Sequence, residues 1–436
     1  MTADPRQLEG FIDVDSESAP GVEKGRLYRL WEEGNWSART LDFTQDALDW
    51  WERHSDQQRA AIIWNYAMFL DGEESVTATL APFMEAVRDY EDKIFLATQI
   101  ADEARHHVFF DRFLREVSGI GSSYATTLAA TRPQLTWGYT QIFSELDRAA
   151  ERLRRAPHYL PYLAQGIVLY HLVIEGMLAH TGQHFLRDYT TRNALFPAFA
   201  EGIHHVTRDE SRHIAFGIQL LRELVTGSTV CKNAAIGMLN RVLPWAAGVF
   251  VPPNIDWSYI TCLGYSPNDI FAFALRSIET KLQRAGIPPA EVLSLVKLSC
   301  ADPPTEQAAR VITLVESGVL GTDQPPHVTE EALDVLFLGI GQVAAWTAPR
   351  RQPIHATIQW LFDDCQPRYL TLDPQRAPLV VTGRVTNPDL TLRISAADWV
   401  CISRGSLNQQ FALLTRRLRV HGDWQLLLQL PKILPG

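Results

Sequence analysis

Residues 208–215 read R-D-E-S-R-H-I-A and set Glu210 three residues before His213. Residues 102–107, D-E-A-R-H-H, repeat the spacing with Glu103 and His106. On a helix, side chains at i and i+3 share a face, so each pair presents a carboxylate and an imidazole in one direction. Two such pairs, each preceded by a helix with a lone inward glutamate, form the ligand set of a two-metal carboxylate site in a four-helix bundle. Glu73 and Glu175 supply those glutamates. The order Glu, Glu-x-x-His, Glu, Glu-x-x-His constrains the chain far more than either pair alone.

Phase decides which residues face inward. Ile62, Tyr66, Phe69, Leu70, Val76 and Leu80 keep helical spacing and predict a helix over about 56–90. Phe69, Leu70, Val76 and Leu80 lie on the Glu73 face, whereas Glu74 shares its side with Asp71, Thr77 and Ala78. Glu73 is therefore the inward acid, and a carboxylate among bulky apolar groups needs a partner to offset its desolvation. A second helix is expected over about 93–117, with His107 a weaker rival to His106 because it breaks the i, i+3 pairing. A third, over about 160–186, contains V-L-Y-H-L-V-I-E-G-M-L-A-H-T-G, where Glu175 is the one acid before Asp188.

The fourth helix, over about 195–224, contains a decoy, since Glu201 and His204 also read Glu-x-x-His. Nine residues, or two and a half turns, separate the two pairs, so they face opposite sides. Glu210 and His213 align with Ile203, Val206, Ile214 and Leu220 and are expected inside. Glu201 and His204 align with Arg208, Ser211 and Arg212, a face expected in solvent.

A net charge of −10 gives nucleic acid no basic surface to meet. Cys231, Cys262, Cys300, Cys365 and Cys401 lack C-x-x-C spacing and read as reduced thiols. The opening M-T-A-D-P-R-Q-L-E-G has no apolar core, and residues 243–251, taken as the most apolar stretch, are too short to span a bilayer. A cytoplasmic protein with no integral membrane segment is expected. Pro and Gly gather at 288–290, 301–305 and 321–327, after which a helix over 329–346 and short β-rich runs follow. Residues 396–417 are expected to be helical and Q-L-L-L-Q-L to be a strand.

D-G-E-E-S-V-T, D-E-A-R-H-H, V-L-Y-H-L-V-I-E-G and R-D-E-S-R-H resemble the ligand-binding oxidases related to the ribonucleotide reductase small subunit, over residues 25–290. The resemblance implies a ferritin-like bundle with a dinuclear Mn/Fe site, or Fe/Fe. Glu73, Glu103 and His106 would hold one metal and Glu175, Glu210 and His213 the other. It also implies a long-chain fatty acid at the metals, dioxygen as co-substrate, and a tyrosine–valine ether link at Tyr170 and Val76. Read as residues alone, Tyr170 is a buried phenol bonded to a ligand and Val76 is core packing.

The segment from A-A-D-W-V-C-I-S-R-G through R-V-H-G-D-W-Q-L-L-L-Q-L is similar to a sterol carrier protein type 2 domain, over 328–436. That likeness implies an apolar tunnel for acyl chains or sterols, the alternative being a dimerisation or docking module. Arg416, Arg417 and Arg419 read as a solvated face.

The expected architecture is mainly α. A ferritin-like dimetal domain with extra helices spans 1–300, a linker 301–327, and a small α+β lipid-carrier-like domain 328–436. The expected function is dioxygen-dependent C–H oxidation of a hydrophobic, lipid-like substrate, by a homodimer supplied from an external electron donor. The rivals are a radical-generating reductase subunit and a non-catalytic lipid carrier with a structural metal site.

Overall fold

The computed structural model describes residues 10–19, 21–292, 302–350 and 352–433. Its contacts divide the chain into two compact units, Met1–Val292 and Leu293–Gly436.

The first unit is helical. Its elements are α1 (Lys24–Glu33), α2 (Thr44–Glu52), α3 (Asp56–Thr79), α4 (Ala81–Ala86), α5 (Tyr90–Glu116), α6 (Tyr124–Thr131) and α7 (Trp137–Arg155). They continue with α8 (Leu160–Asn193), α9 (Pro197–Gly227), α10 (Thr229–Ala247), α11 (Ser258–Thr261) and α12 (Pro267–Arg284). The helix expected over 56–90 ends at Thr79, because Pro82 opens the short α4. A proline ring inside a continuous helix would strike the carbonyl four residues back and offer no N–H. Ser55 and Gln58 start α3 with reciprocal caps, and Asp89 accepts the Glu91 N–H to start α5. The α7 helix, which the sequence reading passed over, buries Tyr139, Ile142, Leu146, Ala149 and Leu153 along one stripe.

Helices α3, α5, α8 and α9 surround the site. Below it, Tyr66, Phe109, Phe110, Phe113 and Phe199 close the bundle, with the Tyr66 and Phe199 rings stacked at 4.5 Å. By length and composition α8 could cross a membrane, which corrects the choice of 243–251 as the most apolar stretch; 83% of its apolar window is buried inside the unit. It is a core helix, and residues 168–179 wind as a π-helix around Glu175. Single π turns cluster at functional sites because they offset the helical phase and re-aim side chains.

The second unit holds α13 (Pro304–Glu316), within the stretch expected as a linker, and α14 (Glu330–Thr347), capped by Thr329. Strands β1 (Ala356–Phe362), β2 (Arg368–Asp373), β3 (Arg376–Thr382), β4 (Leu390–Ile394) and β5 (Arg419–Gly422) form one sheet in the order β3-β2-β1-β4-β5. Strands β1 and β4 run parallel, and the other pairings are antiparallel. The single helix expected over 396–417 is two, α15 (Ala396–Ser403) and α16 (Gln409–Leu414), separated at Gly405 with φ of 72°. Q-L-L-L-Q-L is not a strand. It lies in α17 (Trp424–Ile433), where the Asp423 carboxylate accepts the Gln425 and Leu426 N–H groups and caps the first turn. Arg416, Arg417 and Arg419 are exposed, and Arg417 pairs with Asp398.

Candidate metal centre

Glu73 on α3, Glu103 and His106 on α5, Glu175 on α8, and Glu210 and His213 on α9 are all buried, none more than 6% exposed. Their polar ends converge. His106 Nδ1 lies 3.6 Å from Glu73, 3.6 Å from Glu103 and 3.7 Å from Glu210. His213 Nδ1 lies 3.2 Å from Glu103, 3.4 Å from Glu175 and 3.6 Å from Glu210. Glu103 turns Oε2 to His106 and Oε1 to His213, and Glu210 does the same with Oε1 and Oε2. The two central glutamates thus face both histidines, while Glu73 and Glu175 close opposite ends. Two ligand groups result: Glu73, Glu103, His106 and Glu210 on one side, and Glu103, Glu175 and His213 on the other.

The donor atoms are poised for cations. His106 Nδ1, His213 Nδ1, Glu175 Oε2 and Glu210 Oε2 are buried without a hydrogen-bond partner. Orphaned buried acceptors of this kind are rare, and each costs about 1–3 kcal/mol unless something occupies it. Burial pushes the Glu73 and Glu175 carboxyls well above their ordinary value, and Glu210 upward as well. Burial also acts on Glu103, yet His213 and His106 hold it well below the usual carboxylate range. Burial disfavours the imidazolium form of both histidines, but Glu73 beside His106 and Glu103 beside His213 raise both well above the ordinary imidazole value. Without cations the cluster must hold protons, and two divalent ions would replace them.

An outer layer fixes the imidazoles. His106 Nε2 meets Asp209 at 3.3 Å, and His213 Nε2 meets Asp102 at 3.2 Å. Arg212 donates to Asp102 at 3.0 Å and Asp209 at 2.9 Å, and Arg105 bonds both aspartates as well. Trp31 and Trp36 indoles donate to Asp102 and Asp209 at 2.9 and 2.8 Å. Such partners set which ring nitrogen is bare and aim it.

The sequence reading missed these aspartates, although both Glu-x-x-His pairs carry an aspartate directly before the glutamate. It also sent Arg212 and Ser211 to solvent, whereas they are 1% and 5% exposed. Of the decoy pair, Glu201 is exposed as expected, whereas His204 is half-buried against the Phe11 ring at 5.1 Å. Glu74 is exposed, and His107 turns away to the Leu70 carbonyl at 3.3 Å.

An apolar cavity starts at the cluster. Glu73, Glu103, Glu175 and Glu210 line it beside Val76 and Tyr170, together with Tyr189, Ile260 and Tyr265. Along α8 its lining extends from Tyr170 past Glu175 to Tyr189. The Tyr170 hydroxyl donates to Glu103 Oε1 at 2.8 Å.

Residues 24–238 match the family model described as ribonucleotide reductase, small chain, and residues 339–435 match the SCP-2 sterol transfer family. Among solved structures, the R2-like ligand-binding oxidase from Sulfolobus acidocaldarius is similar at 22% identity and a TM-score of 0.52, covering 62% of this chain and 94% of its own. A valine-to-leucine variant of an R2-like ligand-binding oxidase with anaerobically reconstituted Mn/Fe cofactor is 26% identical, with a TM-score of 0.52 and coverage of 61% and 93%. A tyrosine-to-phenylalanine variant with aerobically reconstituted Mn/Fe cofactor is 25% identical, with the same TM-score and coverage. The chain thus joins a ferritin-like helical domain, similar over residues 24–238 to the ribonucleotide reductase small chain, to a small α+β domain similar over residues 339–435 to the SCP-2 sterol transfer family.

Proposed function

We propose that the first unit is a dioxygen-activating dimetal oxidase, carrying Mn/Fe or Fe/Fe, that oxidises a C–H bond of a lipid-like substrate held in the apolar cavity. Glu73, Glu103 and His106 would hold one metal and Glu175, Glu210 and His213 the other, with Glu103 and Glu210 reaching both. The single observation that carries this is the set of bare, buried ligand atoms on His106, His213, Glu175 and Glu210, aimed at one another. Four carboxylates and two imidazoles suit first-row ions and balance most of the charge of two divalent cations. When bound, such a pair supplies the capacity to reduce dioxygen.

The chain's own residues define the rest. The cavity admits an extended apolar molecule such as a long-chain fatty acid, whose reactive carbon would lie against Glu73, Glu103, Glu175 and Glu210. Its apolar lining excludes water from that end. Tyr170 and Val76 both border the cluster, which supports an ether link between them. That link would break the phenolic O–H and one C–H of Val76 and form one O–C bond. The two electrons and two protons released would go to dioxygen. Repeated turnover on a substrate calls for an external electron donor. The second unit would hold or deliver the lipid, in keeping with its SCP-2 match. A homodimer is part of the proposal, and a reducing compartment such as the cytoplasm is supported by the free thiols at the described cysteines Cys231, Cys262, Cys365 and Cys401.

The test is anaerobic loading with Mn(II) and Fe(II), followed by exposure to air. Two metals per chain, oxygen uptake, and loss of two hydrogens mapped to the peptides with Val76 and Tyr170 are expected. Absence of oxygen uptake would reduce the protein to a lipid carrier. A persistent radical that needs a large partner subunit would make it a radical-generating subunit.

A further inference from the structure

We infer that Gln99 and His171 are positioning residues that aim the Tyr170 phenolic hydrogen at Glu103. All three side chains are buried, at 0%, 0% and 1% exposure. The Gln99 amide nitrogen lies 2.8 Å from Glu175 Oε1, 3.1 Å from the Tyr170 hydroxyl and 3.4 Å from Glu103 Oε1. Turning the amide over would set its oxygen against the Glu103 carboxylate and force the hydrogen of His171 onto Nδ1, which has no partner, so the surroundings fix the nitrogen on this side. Its two N–H groups go to the two nearest acceptors, Glu175 and the Tyr170 oxygen.

The other end of the amide fixes the histidine. Gln99 Oε1 is an acceptor 3.2 Å from His171 Nε2, so that nitrogen must carry the hydrogen. His171 Nδ1 has no partner, as a bare nitrogen in this tautomer would not require one. Burial lowers the His171 pKa to about 3, which keeps the ring neutral with its single N–H. The ring is clamped: a Cβ on Gly217 would fall 2.1 Å from His171 Cβ, and the Phe216 ring packs 5.7 Å away. Only glycine at 217 allows so close an approach.

The phenol oxygen accepts from Gln99, and its own hydrogen goes to Glu103 Oε1 at 2.8 Å. The result is a one-way chain: His171 N–H to Gln99, Gln99 N–H to Tyr170, Tyr170 O–H to Glu103. For the ether link, which rests on the proposed oxidase function, this assigns the direction in which the phenolic hydrogen points before the O–H bond breaks. The oxygen stays pinned by Gln99 while it forms the bond to Val76, and the proton leaves to dioxygen from the Glu103 side.

The test uses the full-length protein with ring-labelled tyrosine, and the infrared C–O stretch of Tyr170 identified by its loss in Tyr170→Phe. That band reports whether the phenol donates, accepts or both, and it is read first in metal-free protein. Gln99→Leu removes the donor and is expected to move the band to that of a phenol that only donates. His171→Phe is expected to broaden it, and His171→Gln, which can still donate to Gln99, to restore it. In Mn/Fe-loaded, air-exposed protein, Gln99→Leu is expected to lower the fraction lacking two hydrogens by about tenfold, the size of effect seen when outer partners of metal ligands are removed. Metal content and melting temperature are followed in every variant to identify one that fails to fold. An unmoved Tyr170 band in Gln99→Leu and His171→Phe, with both variants folded, would overturn the assignment. A band that moves as expected while the parent protein forms no link would leave the positioning intact and remove the ether link alone.

Discussion

Asp102 and His213 sit on different helices and meet at 3.2 Å, and Asp209 answers from the opposite side by holding His106 at 3.3 Å. Each of α5 and α9 therefore carries, beside its own inward glutamate, the carboxylate that orients the other helix's imidazole. Arg212 and Arg105 each bridge both aspartates, so two guanidiniums and two carboxylates balance within one layer.

Asp102→Asn should weaken the metal bound by His213, and Asp209→Asn the metal bound by His106, each by about 10–100-fold. Chelator competition with each metal measured separately checks this. Equal weakening of both metals by either variant would contradict the crossed arrangement.

Glu175→Leu removes a buried carboxylate that has only proton-bearing partners when no metal is present. The metal-free variant should be more stable than the metal-free parent by about 1–4 kcal/mol, because burying this carboxyl carries a desolvation cost that an apolar side chain of similar size avoids. Metal analysis should show one ion fewer per chain. Calorimetry of both metal-free proteins reads the first effect.

Metal affinity should rise with pH. His106 and His213 have pKa values raised well above the ordinary imidazole value, so protons compete with metal through neutral pH, and binding releases them. The same shifts stabilise the metal-free fold fully below the unfolded imidazole pKa, and that contribution fades as pH climbs through the raised folded values. Metal-free protein should therefore lose stability toward alkaline pH more steeply than loaded protein. Denaturant titrations across pH, with and without metal, check the sign.

Gly202→Ala should destabilise the bundle by about 1–3 kcal/mol through overpacking, since a Cβ there would lie 2.2 Å from the Phe109 ring. Thermal unfolding measures it.

Ile260→Trp places a large ring in the cavity from α11, a helix that carries none of the metal cluster's six residues. Affinity for a fluorescent long-chain fatty acid should fall by about tenfold, or 1.4 kcal/mol, with metal content unchanged.

The convergence of Glu73, Glu103, His106, Glu175, Glu210 and His213 was legible because helical phase is a local property. Apolar neighbours at three- and four-residue spacing separate Glu73 from Glu74 and Glu210 from Glu201. The same argument failed for Arg212, because phase assigns charge to solvent and cannot see two aspartates arriving from elsewhere. Gln99 was invisible for a related reason: a lone amide has no pattern, and its role depends on Tyr170 and His171 lying seventy-odd positions away. The π-helical course of residues 168–179 also left no trace in a uniformly apolar run. In the second unit, Q-L-L-L-Q-L fits a buried strand and a helix equally well, and the Asp423 cap decides it.

Helix α8 carries Glu175 and also Tyr170, Ile174, Leu178 and Phe185 along the cavity wall. A single rod that holds both the reactive end and the long side of the channel works as a gauge. An extended guest is measured against the helical rise, about 5.4 Å per turn. Under the proposed oxidation, the carbon presented to the cluster would be set by how the guest lies along this wall, and bulking Phe185 would move the site of attack along the chain.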